Sequence, residues 1–495
     1  MNKLKLDKAL LISTFSIILS LFIVITVFNE SFVSIVDSLN YILTNKLGFY
    51  YILVGAAFML ILIGLALSKY GKIKIGGPYA EKSYNNFSWA AMIFTSTMAA
   101  DIIFFSLHEW IYYYADSSST YLAHQGVSQV ASTYPLFHWG IIPWSFYLLP
   151  AAAYAYIQYN RNRDCYRLSQ ACYPLIKSSK ILRIIDILGV VGLIVAVSTT
   201  FSLATPLLSS ALASLLGLPS SIKLVVGLII LMGVIYCVGT LFCLKGISLI
   251  ARFSYVVFGT LLGLVLISGD TIFIIEHGVA SLGNLIQNQL GMSFYFSENS
   301  FTQDWTIFYW AYWIAWSIAT PFFIAKISKG RSIRSMLLGG LGAGLSGTFT
   351  SFIILGNAGL ALEQSGHGIV EEFLSGNLAE SQVILKIIDL LPNSTAILIV
   401  LVLCMIMLYV STLDSIIYVI SRYSYKNLGD LDSSKSMKIY WSLLFLLLPI
   451  ALVYLESTMS TLKTLSIILA FPISIILILV VINFIKELKK GGGLR

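Results

Sequence analysis

Twelve apolar stretches of roughly 18–28 residues each, enough to cross a hydrocarbon core of ~30 Å, dominate this chain and restrict what it can become. They lie near 9–28, 48–68, 87–113, 135–157, 184–214, 223–243, 253–275, 304–325, 335–360, 394–420, 438–455 and 460–486. In lipid every backbone N–H and C=O must be bonded internally, and stretches of this length do that as helices. The expected fold class is therefore an all-α membrane protein. With 58% hydrophobic and 11% charged residues over 495 positions, no room is left for a soluble domain.

The basic residues orient the spans. Lys3, Lys5 and Lys8 precede the first; Lys69, Lys72 and Lys74 follow the second; Arg161, Arg163 and Arg167 follow the fourth. Lys245 and Arg252 follow the sixth, Lys326, Lys329, Arg331 and Arg334 the eighth, Arg422 and Lys426 the tenth, and Lys486, Lys489 and Lys490 the last. The alternate loops 115–134 and 276–304 carry no Lys or Arg. This positive-inside pattern predicts a multi-pass protein of the cell membrane with both termini cytoplasmic. The net charge of +8 is thus accounted for by topology, and nucleic-acid binding is not expected. The first span lacks a small-residue cleavage site and reads as retained. Cysteines 165, 172, 237, 243 and 404 show no metal-ligand spacing and read as small buried hydrophobes. The terminal Gly491-Gly492-Gly493-Leu494-Arg495 resembles a cloning remnant.

Chemistry is concentrated in a few polar and aromatic residues at membrane depth. Phe308-Tyr309-Trp310-Ala311-Tyr312-Trp313-Ile314-Ala315-Trp316 packs five indole or phenol rings into nine residues, with Trp310, Trp313 and Trp316 recurring every three. Trp139, Trp144 and Tyr147 form a second set in the fourth span, fanned over roughly 140° of one helix. Tryptophan in membrane helices ordinarily marks the interface; rings in the interior suit a desolvated organic cation, held by their negative faces. Asp101 sits near the middle of the third span, where a carboxylate costs a few kcal/mol and reads by default as functional; the alternative is a protonated or internally bonded structural residue. The small residues before it would permit local unwinding. Glu109 reads as a partner for a helix end, and His138 as a packing hydrogen bond. Ser411 and Thr412 can coordinate Na⁺ together with freed carbonyls or bond back to the preceding turn. Thr199-Thr200 is a weaker candidate of the same kind. No nucleophile–base pair or metal cluster suggests a membrane-embedded enzyme.

Spans three and eight lie five helices apart and so cross in opposite directions. That predicts two five-helix inverted repeats with the site where their first helices meet. The resulting division is 1–86 for two N-terminal helices, 87–303 for the first repeat with an external amphipathic segment, and 304–490 for the second repeat; 491–495 is set aside.

The chain resembles the betaine/carnitine/choline transporter family over nearly its whole length. The likeness is carried by Trp305 through Trp316 to Lys326-Ile327-Ser328-Lys329-Gly330-Arg331-Ser332-Ile333-Arg334, by His138-Trp139-Gly140 with Trp144 and Tyr147, by Tyr173-Pro174-Leu175, and by Thr412-Leu413-Asp414-Ser415. The resemblance implies the inverted-repeat fold of amino-acid:sodium symporters with two extra N-terminal helices, commonly a trimer, and secondary transport of a methylated ammonium compound. It implies an aromatic box of Trp139, Trp144, Tyr147 and Trp313, with Trp316 and Phe323 lining the inner pathway. Ser411, Thr412, Met98 and Thr199 would be the candidate Na⁺ positions, Na⁺ being the one cofactor in view. Two departures stand out. The family's glycine-rich stretch is here Thr97-Met98-Ala99-Ala100-Asp101, which predicts a stiffer third span, and Trp110 stands where proline is usual. Members that take up choline tend to carry aspartate at the position of Asp101. A bare cation needs a paired charge, whereas the carboxylate of glycine betaine would be repelled. A choline-like substrate is therefore favoured; a Na⁺/glycine betaine symporter and a carnitine/betaine exchanger are the alternatives, and proton coupling through Asp101 stays open.

Overall fold

The computed structural model describes residues 5–491 apart from 28, 98, 240–243, 430 and 455–458. Among these the secondary structure is helical, with two isolated β-bridges, Leu6 to Tyr425 and Lys74 to Ser332. The principal helices are α1 (Lys8–Val27), α2 (Gly48–Leu67), α3 (Asn86–Thr95), α4 (Ala99–Ala115), α5 (Val127–His138), α6 (Ile141–Asn160), α7 (Ser179–Leu216) and α8 (Ile222–Gly239). They continue as α9 (Leu244–Ser268), α10 (Thr271–Ser293), α11 (Phe308–Trp316), α12 (Thr320–Ile327), α13 (Ile333–Ser351), α14 (Ser394–Tyr423), α15 (Lys435–Tyr454) and α16 (Met459–Gly491).

Eight spans among the described residues are long and apolar enough to cross a membrane, and the bent pair ending at Trp316 and Ile327 makes a ninth. The expected segments near 9–28, 87–113 and 223–243 coincide with α1, with α3 plus α4, and with α8, which are shorter or broken. α2 illustrates the lipid-facing design. Leu53, Leu60 and Leu67, seven residues apart, are exposed, while Ile52, Phe58, Met59 and Leu62 are buried. A helix that is apolar all round belongs in a bilayer.

Three breaks occur at the positions that matter. α3 stops at Thr95 and α4 begins at Ala99. No glycine is involved. Instead Thr95 Oγ1 donates to the Ala91 carbonyl at 2.9 Å, Ser96 Oγ to Ile93 at 3.1 Å and Thr97 Oγ1 to Phe94 at 2.6 Å. Successive hydroxyls competing for carbonyls of the preceding turn offer the chain an alternative to the helix. The second break is at Trp139 and Gly140, between α5 and α6. A Cβ on Gly140 would come within 2.5 Å of the Leu136 carbonyl oxygen, so only glycine allows this turn. Thr348 Oγ1 from α13 donates to the freed Trp139 carbonyl at 3.0 Å. The third break separates α11 from α12 by a 56° bend. Pro321, near the start of α12, has no N–H to lose there.

The external segment expected at 276–303 is α10. It starts at Asp270, whose side chain accepts from Phe273 N at 3.0 Å, and packs on α5, with Ser281 Oγ donating to Ser132 Oγ at 2.6 Å. Ile286 and Leu290 point outward, whereas Met292 is buried. The interior is formed where α3, α4, α7 and α14 meet, with α11 packed on α6, α7 and α16.

Candidate functional site

The breaks bring the aromatic residues together. Trp139 occupies the α5–α6 break, Trp144 and Tyr147 follow on α6, and Trp313 projects from α11; all four are fully buried. Trp313 is the hub. Its ring lies 5.4 Å from Trp139, 5.4 Å from Trp144 and 4.9 Å from Tyr147, centroid to centroid. Trp144 is seated against α13 where Gly344 has no side chain; a Cβ there would meet the indole at 2.3 Å. A cation held by a ring sits up to roughly 6 Å from its centroid, so rings this close stand in mutual contact. The ring cluster is closed on itself. Trp144 Nε1, Tyr147 Oη, Trp313 Nε1 and Trp316 Nε1 are buried without hydrogen-bond partners among the described residues. Each such group costs about 1–3 kcal/mol.

Asp101 stands beside this cluster. Its Oδ2 accepts from Thr200 Oγ1 at 2.7 Å and from Tyr312 Oη at 2.5 Å, and those hydroxyls lie 3.2 Å apart. Its Oδ1 is buried and has no hydrogen-bond partner among the described residues. Tyr147 is within electrostatic reach. One turn along α4, Phe105 packs against Trp139 at 5.5 Å, Tyr309 at 5.8 Å and Tyr312 at 6.2 Å. α4 thus connects the carboxylate to the box through a ring.

Ser411 and Thr412 on α14 meet the α3–α4 break. Thr412 Oγ1 donates to the carbonyls of Thr95 at 3.0 Å and Thr97 at 2.9 Å, and Ser411 Oγ donates to Thr95 Oγ1 at 2.9 Å. Freed carbonyls and hydroxyls converging on one point are an oxygen-only donor set, which hard cations prefer. Among the described residues no group of three His, Cys, Asp or Glu side chains gathers to bind a metal. A Na⁺ ion fits the hydroxyl–carbonyl cluster instead. Thr199 is not part of it: its hydroxyl donates to the Val195 carbonyl of its own helix at 3.1 Å. Met98 lies outside the described residues. Trp316 ends α11 and Phe323 lies beyond the bend in α12, both buried.

Sequence reasoning gave Glu109 to a helix end. In the structure its Oε2 accepts from Trp139 Nε1 at 2.8 Å and its Oε1 from the Tyr113 hydroxyl. Tyr113 Oη also bonds His138 Nδ1 at 2.6 Å, and His138 Nε2 meets Thr306 Oγ1 at 3.0 Å. This buried chain fixes the Trp139 ring. Asp101, Phe105 and Glu109 at four-residue spacing share one face of α4, a signal the sequence carried. Thr200 enters the sequence reading only with Thr199 as a weak Na⁺ candidate and Tyr312 only within the aromatic stretch; nothing in the sequence links either to Asp101.

Residues 9–492 match the model described as "BCCT, betaine/carnitine/choline family transporter". The chain is 28% identical over 468 residues to a probable glycine betaine transporter of Desulfitobacterium hafniense, covering 93% of each protein. It is 28% identical over 471 residues to the glycine betaine transporter OpuD of Bacillus subtilis, covering 93% of this chain and 90% of that one. Against the high-affinity choline transport protein of Escherichia coli the identity is 26% over 461 residues, covering 90% of this chain and 67% of that longer protein. With its aromatic cluster, its broken spans and a match running from residue 9 to residue 492, the chain belongs to the betaine/carnitine/choline transporter family: it is a multi-pass membrane transporter and not an enzyme.

Proposed function

We propose that the substrate of this transporter is a methylated ammonium cation without a carboxylate of its own, choline or a close relative. The observation that carries the reading is the buried Oδ1 of Asp101, without a hydrogen-bond partner among the described residues, beside four fully buried rings. A desolvated cation needs an opposite charge within the same low-dielectric pocket, and cation–π contacts of about 0.5–2 kcal/mol each supplement that charge. Trp139, Trp144, Tyr147 and Trp313 would hold the ammonium group and Asp101 would balance it. Trp316 and Phe323 would line the way inward. The second reading, glycine betaine, is favoured by the names of two of the relatives above and by four orphaned donors that suit a carboxylate. Coupling to Na⁺ is supported by the Thr95, Thr97, Ser411 and Thr412 oxygens; Na⁺ bound there would hold α3 to α14 and so favour the closed substrate site. The wider arrangement consistent with this is twelve spans in two inverted five-helix repeats, a homotrimer in the cell membrane, and both termini cytoplasmic.

Equilibrium binding of choline, glycine betaine and carnitine to the purified protein, each with and without Na⁺, tests the reading. Choline should bind most tightly, and its affinity should rise with Na⁺. Tight glycine betaine binding with weak choline binding would overturn the substrate assignment.

A further inference from the structure

Asp414 lies on α14 three residues beyond Ser411, and it has no place in the substrate site described above. It is 4% exposed, and both carboxylate oxygens lack a hydrogen-bond partner among the described residues. A buried carboxylate left unbonded is expensive. Every other buried acid with a role here is well supplied: Glu109 by Tyr113 and Trp139, Asp186 by Ser169 and Arg167, and Asp101 on one oxygen by Thr200 and Tyr312.

The neighbours of Asp414 point to a cation in transit. Residues 411, 414, 415, 418 and 422 follow one stripe of α14 at three- and four-residue spacing. At one end of the stripe Ser411 belongs to the oxygen cluster at the helix break. At the other end Tyr418 and Arg422 border a cavity that Tyr154, Phe322 and Lys326 also line, at the lysine- and arginine-rich end of the molecule. Between them stands the one carboxylate. The charged group facing it from the packed helix α15 is Lys438, which also lies 6.0 Å from the Tyr418 ring centroid.

We infer that Asp414 is a transient site for a small hard monovalent cation, Na⁺ in the coupling reading on which this rests, on its way from the Thr95–Thr97–Ser411–Thr412 oxygens to the inner cavity. The carboxylate draws the ion one turn inward, and the nearby Lys438 ammonium keeps it from being held there.

The test separates binding from release. In the purified full chain, Asp414→Asn should leave Na⁺-dependent equilibrium substrate binding within about twofold of the wild type. In proteoliposomes its net Na⁺-driven uptake should fall about tenfold, while substrate counterflow at saturating Na⁺ on both sides, which needs no ion release, should be retained. Asp414→Glu should restore net uptake. If Asp414→Asn does not fold, Lys438→Gln is the second variant, and slower net uptake with normal counterflow is expected as the ion dwells longer. Wild-type net uptake in Asp414→Asn, or in Lys438→Gln if that variant has to be used, overturns the inference. Wild-type binding and uptake indifferent to Na⁺ overturn the coupling reading itself, a separate result visible before any variant is made.

Discussion

In the proposed site Trp313 would supply shape and Asp101 charge, and each can be removed alone. Trp313 touches all three other rings of the box. Trp313→Leu keeps apolar volume and removes the ring face, so affinity for every methylated ammonium should fall by tenfold or more while the melting temperature changes little; isothermal titration and a thermal melt read both. Unchanged affinity would refute the box. Asp101→Gly removes the counter-charge. Choline affinity should drop by ten- to a hundredfold, and glycine betaine affinity should rise as the repulsion is lost. The sign of the pH effect follows from which form binds. An ionised Asp101 favours the cation, so choline binding should weaken as pH falls and Asp101 takes up a proton, and binding at a pH where both forms are populated should release protons into a weak buffer. Proton uptake on choline binding would mean that the protonated form binds and that Asp101 is not the counter-ion.

At the scale of the element, the decisive object is the α3–α4 break, because its freed carbonyls meet Thr412. Thr412→Ala should abolish the Na⁺ dependence of substrate affinity while leaving binding at zero Na⁺ unchanged, measured by titrating substrate at several Na⁺ concentrations. Persistence of the wild-type Na⁺ dependence would remove the cluster from the coupling path. This element also marks how far the sequence could be read. The loss of the family's glycines suggested a stiff span, yet the chain unwinds at Ser96 and Thr97 because hydroxyls at 95, 96 and 97 bond back to the preceding turn. The small residues before Asp101 leave room for that unwinding; the part the hydroxyls play in it was not legible in the sequence. The choice between Thr199 and Thr200 depended on helix register, since neighbours on a helix differ by about 100°; Thr200 faces Asp101 and Thr199 bonds its own turn. Trp310, one of the three evenly spaced tryptophans, turns away to Phe137 and His138, 5.3 and 5.8 Å off. The aromatic content of the site was legible from spacing; the contact of its rings was a matter of tertiary packing.

Across the whole molecule, the basic end is tied together by residues distant in sequence. Arg167 Nη1 pairs with Asp7 at 3.0 Å and Asp186 at 3.4 Å, and Nη2 donates to the carbonyls of Tyr423 at 2.7 Å and Tyr425 at 2.5 Å. Asp7 N donates to the Ser424 carbonyl at 2.7 Å, and Lys426 N to Lys5. The start of the chain therefore clasps the end of α14, the helix that carries Ser411 and Thr412. Charge patterning counts Arg167 only as one of the basic residues that follow the fourth span; in the structure it is 8% exposed and bonded inward. Burial alone would raise the Asp7 carboxyl, but the Arg167 hydrogen bond and charge, with the Leu10 N–H, hold it below its ordinary value. A carboxyl lowered on folding stabilises the fold above its unfolded pKa of about 3.9, and the contribution is lost as pH falls through the folded pKa. Asp7→Asn should therefore lower stability at pH 7 by about 1.5–3 kcal/mol, the range for hydrogen bonds to charged groups. Its melting curve should approach the wild type's only in acid below that ordinary value. Hydrogen exchange should quicken at residues 424–428 and stay slow at the buried turns of α6. A variant melting with the wild type at pH 7 would mean that Asp186 and the carbonyls alone hold Arg167, and that the N-terminal segment does not brace α14.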